Sequence, residues 1–203
     1  MKKKIIAFDL DGVIINSLKN MEKSWINTCK KNNLNVSFEK YKKLIGLPFV
    51  EILRRLKIKK NYKKIQHDYR FFSLKYIKLI NCYDDIKKLI ILLKKKYKIV
   101  IITSKEKNRS KYVLKKNNIK YNMLITPNDV KKGKPDPESI KKVLKKFLLK
   151  RENILFIGDT YYDYKFAKNS KVDFLFANWG YGNIKIKKVK KLNKPYELLD
   201  KIE

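Results

Sequence analysis

The stretch FDLDGV, residues 8–13, places two carboxylates, Asp9 and Asp11, directly after the apolar run Ile5-Ile6-Ala7. A carboxylate at the end of a buried strand must be solvated, paired or bound to a cation. The Asp11-Gly12 pair alone fits a simple turn, because glycine tolerates dihedrals that other residues avoid. Asp9 needs more than a turn. Further along, polar residues again close apolar runs: IVIITSK ends in Thr103 and Ser104, and ILFIGDTYYD ends in Gly158, Asp159 and then Asp163. Lys134 lies between Gly133 and Pro135 in KKGKPDPE. If the apolar runs are parallel strands, these ends share one edge of a sheet. Three carboxylates, one or two hydroxyls and a restrained lysine then converge.

Clustered carboxylates call for a cation, and magnesium favours one or two carboxylates together with water and phosphate oxygens. A hydroxyl, backbone N–H groups and a lysine supply the complementary half, stabilising an anionic phosphoryl group. A calcium loop fails on spacing. With Asp9 as its first position, the required glycine falls on Ile14 and the bidentate glutamate on Asn20. No P-loop pattern is present either. Blander readings stand beside these: Asp163 as a first-turn helix acid, Thr103 as an ordinary strand-end threonine, Asp136 as a helix cap, and Trp179 with the aromatics of residues 17–80 as packing.

The elements that must position these residues are legible as short apolar runs. Ile5 to Phe8, Ile99 to Ile102, Met123 to Ile125, Ile154 to Ile157 and Val172 to Phe176 read as buried strands. Between them Ile86, Leu89, Ile90 and Leu93 fall at helical spacing, as do Ile140, Val143, Leu144, Phe147 and Leu148. Asp136 is a candidate N-cap for the second helix and Pro137 its first-turn proline. The expected fold is α/β: a Rossmann-like parallel sheet with helices on both faces. From about Ser17 to Ile80 the rhythm breaks into helical patterns, punctuated by Gly46-Leu47-Pro48 before a helix with Ile52, Leu53 and Leu56. We therefore expect a core of residues 1–16 and 81–203 and a helical cap of residues 17–80. In open α/β sheets ligands bind beyond the carboxyl ends of strands, which is where this insert emerges.

Composition bounds the partners. The 203-residue chain carries a formal charge of +33. Only five of its 52 basic residues are arginine, and alanine occurs three times. Lys, Asn, Ile, Tyr and Phe share A/T-rich codons, so a biased genome accounts for the profile without a nucleic-acid partner. Runs such as Lys57 to Lys64 and Lys185 to Lys191 are expected as solvated faces. A basic surface would still concentrate anionic substrates. Cys29 and Cys82 stand far apart and suit a reducing cytosol. His67, the single histidine, lies in a polar stretch and is read as a bystander. No apolar stretch approaches transmembrane length, and Met-Lys-Lys-Lys with one short apolar run does not read as a signal peptide. A cytoplasmic protein without membrane contact is expected.

DLDGV, IITSK, GKPDPE and GDTYYD, in this order, resemble the four motifs of the haloacid dehalogenase-like (HAD) hydrolase superfamily. IGLPFVEIL, KPDPES and NWGYG (Asn178 to Gly182) are similar to stretches of its helical-cap phosphatase branch, which includes phosphoglycolate phosphatase-like enzymes. The resemblance implies that Asp9 is a nucleophile forming an aspartyl-phosphate and that Asp11 is the acid and base. It implies that Thr103 and Ser104 hold phosphate oxygens and that Lys134 offsets charge on nucleophile and phosphate. Mg2+ would lie between Asp9, the backbone carbonyl of Asp11, Asp159 and the phosphate, with Asp163 shaping its outer shell. Asn16, where many phosphatases of this branch carry aspartate, and AKNSKV (Ala167 to Val172) depart from the pattern outside the chemistry.

The expected function is a magnesium-dependent phosphatase acting on a small phosphorylated metabolite, phosphoglycolate-like or a sugar phosphate. Two alternatives remain open at this level. One is a hexose-phosphate mutase of the same family. The other is a polyanion-binding protein on a hydrolase scaffold. Haloacid dehalogenation itself is disfavoured, because that branch lacks the second aspartate.

Overall fold

In a computed structural model the protein is described over residues 3–59, 61–182, 186 and 188–202. Lys60, Lys185 and Lys187 of the two charged runs lie outside these residues. The other lysines of those runs are exposed, as expected for solvated faces.

Eight strands are described: β1 (Ile5–Phe8), β2 (Ile15–Asn16), β3 (Asn81–Cys82), β4 (Lys98–Ile102), β5 (Met123–Ile125), β6 (Ile154–Gly158), β7 (Asp173–Ala177) and β8 (Lys191–Leu192). Six form one sheet in the order β5-β4-β1-β6-β7-β8, with every pairing parallel. This is the expected Rossmann-like arrangement. The strands read as unbroken apolar runs because helices cover both faces. Ile6 and Phe8 of β1 point into one cluster with Ile99, Ile101, Leu89, Ile90, Val113 and Leu114. Ile5 and Ala7 point the other way, to Val100, Ile102, Ile140, Val143 and Phe166. The helices concerned are α5 (Asp84–Leu93) and α6 (Lys107–Lys116) on the first face, and α7 (Glu138–Phe147) and α8 (Tyr161–Ser170) on the second. A short α9 (Leu199–Ile202) closes the first face, where Leu199 and Ile202 pack.

Several expectations are corrected. β7 starts at Asp173, so Val172 precedes it. β8 and the β2–β3 ribbon were not legible, since strands of two residues carry no periodicity to read. Leu148 is not on the apolar face of α7. It is 89% exposed, and its left-handed φ of 53° ends the helix. Pro137 rather than Asp136 is the boundary residue of α7, although the Asp136 carboxylate does accept the Glu138 N–H at 2.9 Å.

Between β2 and β3 lie α1 (Leu18–Lys31), α2 (Phe38–Lys42), α3 (Phe49–Arg55) and α4 (Tyr62–Lys75). They enclose an apolar cluster of their own, with Trp25, Tyr41, Ile52, Leu53, Ile65 and Tyr69 at its centre. Trp25 is fully buried yet satisfied, its Nε1 donating to the Val36 carbonyl at 3.0 Å. The chain leaves at Asn16 and returns at Asn81, and these two residues pair across the antiparallel β2–β3 ribbon. So short a ribbon is marginal alone. It is braced by Tyr181, whose phenol donates to the Ile15 carbonyl at 3.2 Å, and by Cys82, whose thiol donates to Ile14 at 3.2 Å.

Candidate active site

β1 lies at the centre of the sheet, and the chain departs to β4 on one side and β6 on the other. The crevice at its carboxyl end is thus a topological switch point. Immediately after β1 the chain turns within a few residues: the N–H groups of Ile14 and Ile15 both donate to the Leu10 carbonyl at 3.0 Å. Gly12 makes the turn with φ +90°, a region that side chains avoid. A Cβ there would lie 2.1 Å from Asp159 Oδ2. The glycine therefore lets the first strand end and the fourth motif approach each other.

Four side chains meet in this crevice. Lys134 Nζ donates to Asp9 Oδ1 and to Asp163 Oδ1, each at 2.6 Å. Carboxylate oxygens of Asp9, Asp159 and Asp163 all lie within 4.8 Å of one another, and all three residues are buried. Burial works against the charge on Lys134, but Asp163 and Asp9 outweigh it and raise its pKa, keeping the ammonium protonated. One lysine does not neutralise three acids. Burial pushes Asp9 up to about 7 against the pull of Lys134, with Asp163 adding to the rise. Asp159 is likewise raised well above the carboxylate range by burial, then by Asp163 and Asp9.

Asp159 is held from one side only. Its Oδ2 accepts the Tyr181 N–H at 2.7 Å, whereas Oδ1 is buried without a hydrogen-bond partner. Gly180 permits this contact, since a Cβ there would overlap Asp159 Cβ at 2.2 Å. An orphaned buried carboxylate oxygen beside two more acids fits a hard divalent cation with oxygen ligands. Asp163, by contrast, has both oxygens committed. Oδ1 accepts from Lys134, and Oδ2 accepts from the Thr160 N–H at 3.1 Å and its hydroxyl at 2.6 Å. It also sits in the first turn of α8, capped reciprocally by Thr160. The helix-cap and site readings of Asp163 therefore coexist.

Asp11 is placed differently. Its Oδ1 accepts from Ser17 Oγ at 2.5 Å and lies 2.8 Å from Lys105 Nζ, close enough to pair but off hydrogen-bond alignment. Its carboxylate thus stands apart from the three-acid cluster. Thr103 is buried at the end of β4 and accepts the Lys105 N–H at 3.1 Å. The Ser104 hydroxyl is engaged elsewhere, donating to the Gly46 carbonyl of the helical insert at 2.8 Å. Only its backbone is left to face a ligand. Asp9, Asp11, Thr103, Ser104 and Lys105 line a cavity of about 200 Å³, whose far wall is Tyr41, Ile45, Leu47, Phe49 and Tyr69 of the insert.

Lys105, Arg109 and Tyr181 were missed as site residues. Lys105 closes the IITSK stretch, where only Thr103 and Ser104 are singled out by sequence. Its buried ammonium has a lowered pKa, mainly because burial disfavours the charge, with Asp11 opposing. Trp179 packs as expected, and its Nε1 donates to the Val13 carbonyl at 3.1 Å. His67 is exposed and outside the cavity, as read.

The sequence pattern of the haloacid dehalogenase-like hydrolases matches residues 6–177. Pyrophosphatase PpaX of Bacillus cereus is 26% identical over 217 residues, spanning 100% of this chain and 94% of that protein. PpaX of Bacillus mycoides is 27% identical over 210 residues, with the same shares. A crystal structure from Lactobacillus plantarum, of a protein provisionally named a phosphoglycolate phosphatase, superposes with a TM-score of 0.90 at 24% identity. It covers 98% of this chain and 99% of that one, and at that identity the likeness speaks to the fold. Among the described residues no helix is long and apolar enough to cross a membrane.

Proposed function

The chain belongs to the haloacid dehalogenase-like hydrolases and is a phosphatase of that family, and from this premise we propose that it hydrolyses a small phosphorylated metabolite with the help of Mg2+. The observation that carries this reading is the convergence of Asp9, Lys134, Asp159 and Asp163 beneath the cavity, with Asp159 Oδ1 left unpartnered.

Lys134 occupies Asp9 Oδ1, and among the described residues nothing occupies Oδ2. Oδ2 is the atom to attack phosphorus. A bond forms from Asp9 to phosphorus as the bond from phosphorus to the leaving oxygen breaks, giving an aspartyl-phosphate. Asp11 Oδ1 is likewise tied to Ser17 and Lys105, which leaves Oδ2 to serve as proton donor to the leaving oxygen. The same oxygen then takes a proton from the water that hydrolyses the acyl phosphate, restoring both acids. Thr103 and the Ser104 backbone hold phosphoryl oxygens. Asp9, the Asp11 carbonyl and Asp159 would hold Mg2+, positioned by Asp163, and the ion supplies charge stabilisation for the phosphoryl group.

The helical insert of residues 17–80 serves as a cap that closes over the substrate. A cavity of about 200 Å³ is below the range typical of drug-sized ligands, which supports a substrate with few atoms beyond its phosphate. Two free thiols and the absence of a spanning helix among the described residues support a cytoplasmic setting. The test is phosphate release from a panel of phosphoglycolate, pyrophosphate, sugar phosphates and nucleoside monophosphates, with and without Mg2+. Release that needs Mg2+ and disappears in Asp9→Asn is expected. A clean preparation that releases phosphate from no member overturns the reading.

A further inference from the structure

Arg109 is one of five arginines in the chain, and it lies in the first turn of α6 with only 8% of its surface exposed. Arg109 lines the same cavity as Asp9 and Asp11, and its guanidinium stands over the Tyr69 ring with 5.6 Å to the centroid. Its Nε is buried without a hydrogen-bond partner, and among the described residues no carboxylate pairs with it. The nearby acids are already matched. Asp9 is tied to Lys134, Asp11 to Lys105, and Glu106 caps the N-terminus of α6 and faces Arg70 at 3.6 Å. A second cation, Lys105, lines the same wall.

Of the two buried cations, Lys105 has Asp11, and the cation left over is a guanidinium. Such a group cannot escape the cost of burial by shedding its proton. A buried charge without a partner is unfavourable unless something of opposite sign is brought to it. The phosphate under attack does not meet this need, because it belongs over Asp9 and Lys134. We propose that Arg109 receives a second anionic group of the substrate, a carboxylate or second phosphate held a few atoms from the phosphoryl group being cleaved. This rests on the phosphatase reading of the same cavity and adds a substrate class to it. The planar fork of arginine suits either anion through two parallel hydrogen bonds. The small cavity sets the span between the two anions.

The test is binding, so that it does not depend on turnover. Affinities are measured by calorimetric titration with Mg2+ for methylphosphonate, methylenediphosphonate and 3-phosphonopropionate, which carry no second anion, a second phosphonate and a carboxylate. The wild type should bind at least one of the last two roughly tenfold to a hundredfold more tightly than methylphosphonate. Whichever is favoured identifies the second anion. Arg109→Gln should bring that ratio close to one, and Arg109→Lys should restore part of it. Equal affinity of the wild type for all three ligands overturns the proposal without any variant. So does a ratio that survives intact in Arg109→Gln. If the ratio and its loss are observed but no phosphate is released from any substrate, the phosphatase reading fails and the anion site stands.

Discussion

The Ser104 hydroxyl, at the end of the second central strand, donates a 2.8 Å hydrogen bond to the Gly46 carbonyl 58 residues earlier in the helical insert. Gly46 has φ +104°, and a Cβ there would lie 2.6 Å from Thr160 Oγ1 in the fourth motif. One turn of the insert therefore touches two of the strand ends that build the site. Ser104→Ala removes a single hydrogen bond, worth about 1 kcal/mol net. Faster hydrogen exchange at residues 44–50 is expected, with KM raised several-fold and kcat changed less.

Asp9→Asn keeps the shape of the nucleophile but removes its charge. Phosphate release should fall by about 10³-fold or more. The folded protein should not suffer, because the variant relieves repulsion from Asp159 and Asp163, as a thermal unfolding scan would register.

Asp159 Oδ1 is buried with no partner, so its charge is a cost that Mg2+ can relieve. Adding Mg2+ to wild-type protein should raise its Tm, and Asp159→Asn should abolish most of that rise. Gly12→Ala should do so indirectly. It forces a Cβ into Asp159 at a backbone angle that costs on the order of 1–3 kcal/mol.

Lys134 separates two acids, with Asp9 and Asp163 each at 2.6 Å. Lys134→Met leaves them facing each other without a cation, and a loss of about 3–5 kcal/mol of stability is expected from chemical denaturation. Mg2+ should recover part of this loss. An unchanged denaturation midpoint would contradict the geometry.

Asp68 in the insert offers a pH test away from the site. Burial would raise its pKa, but hydrogen bonds from Lys31 and Asn32 outweigh burial and hold it below the ordinary aspartate range. A carboxylate depressed in the folded state contributes stability that is present above its unfolded pKa and lost as pH falls through the folded one. Thermal unfolding of the wild type should therefore weaken as pH drops below about 4. Asp68→Asn should be less stable at neutral pH, by about 1–3 kcal/mol, and should lose part of that acid slope.

Much of this protein is determined by its sequence alone. Apolar runs buried on both faces announce β1, β4 and β6 because a covered parallel strand has no polar side, and helical spacing announces α5 and α7. The polar residues that close those runs, Asp9, Asp11, Thr103 and Asp159, are legible for the same reason: a polar group that closes a buried strand needs an explanation. Short-range geometry is legible less often. The β2–β3 ribbon is too short for a period, and the left-handed turn that exposes Leu148 contradicts its apolar spacing. Tertiary structure alone decides which charges pair. Asp9 and Lys134 are 125 residues apart, and although Gly133 and Pro135 single out Lys134 locally, nothing local says which acids it meets or distinguishes Lys105 from the other lysines of the chain. Ser104 turns its hydroxyl to the insert, and Arg109 stands buried without a carboxylate, because helices distant in sequence fold over the end of the sheet. Burial gives these ordinary surface-type residues their chemistry, since a charge removed from water must find its partner in space.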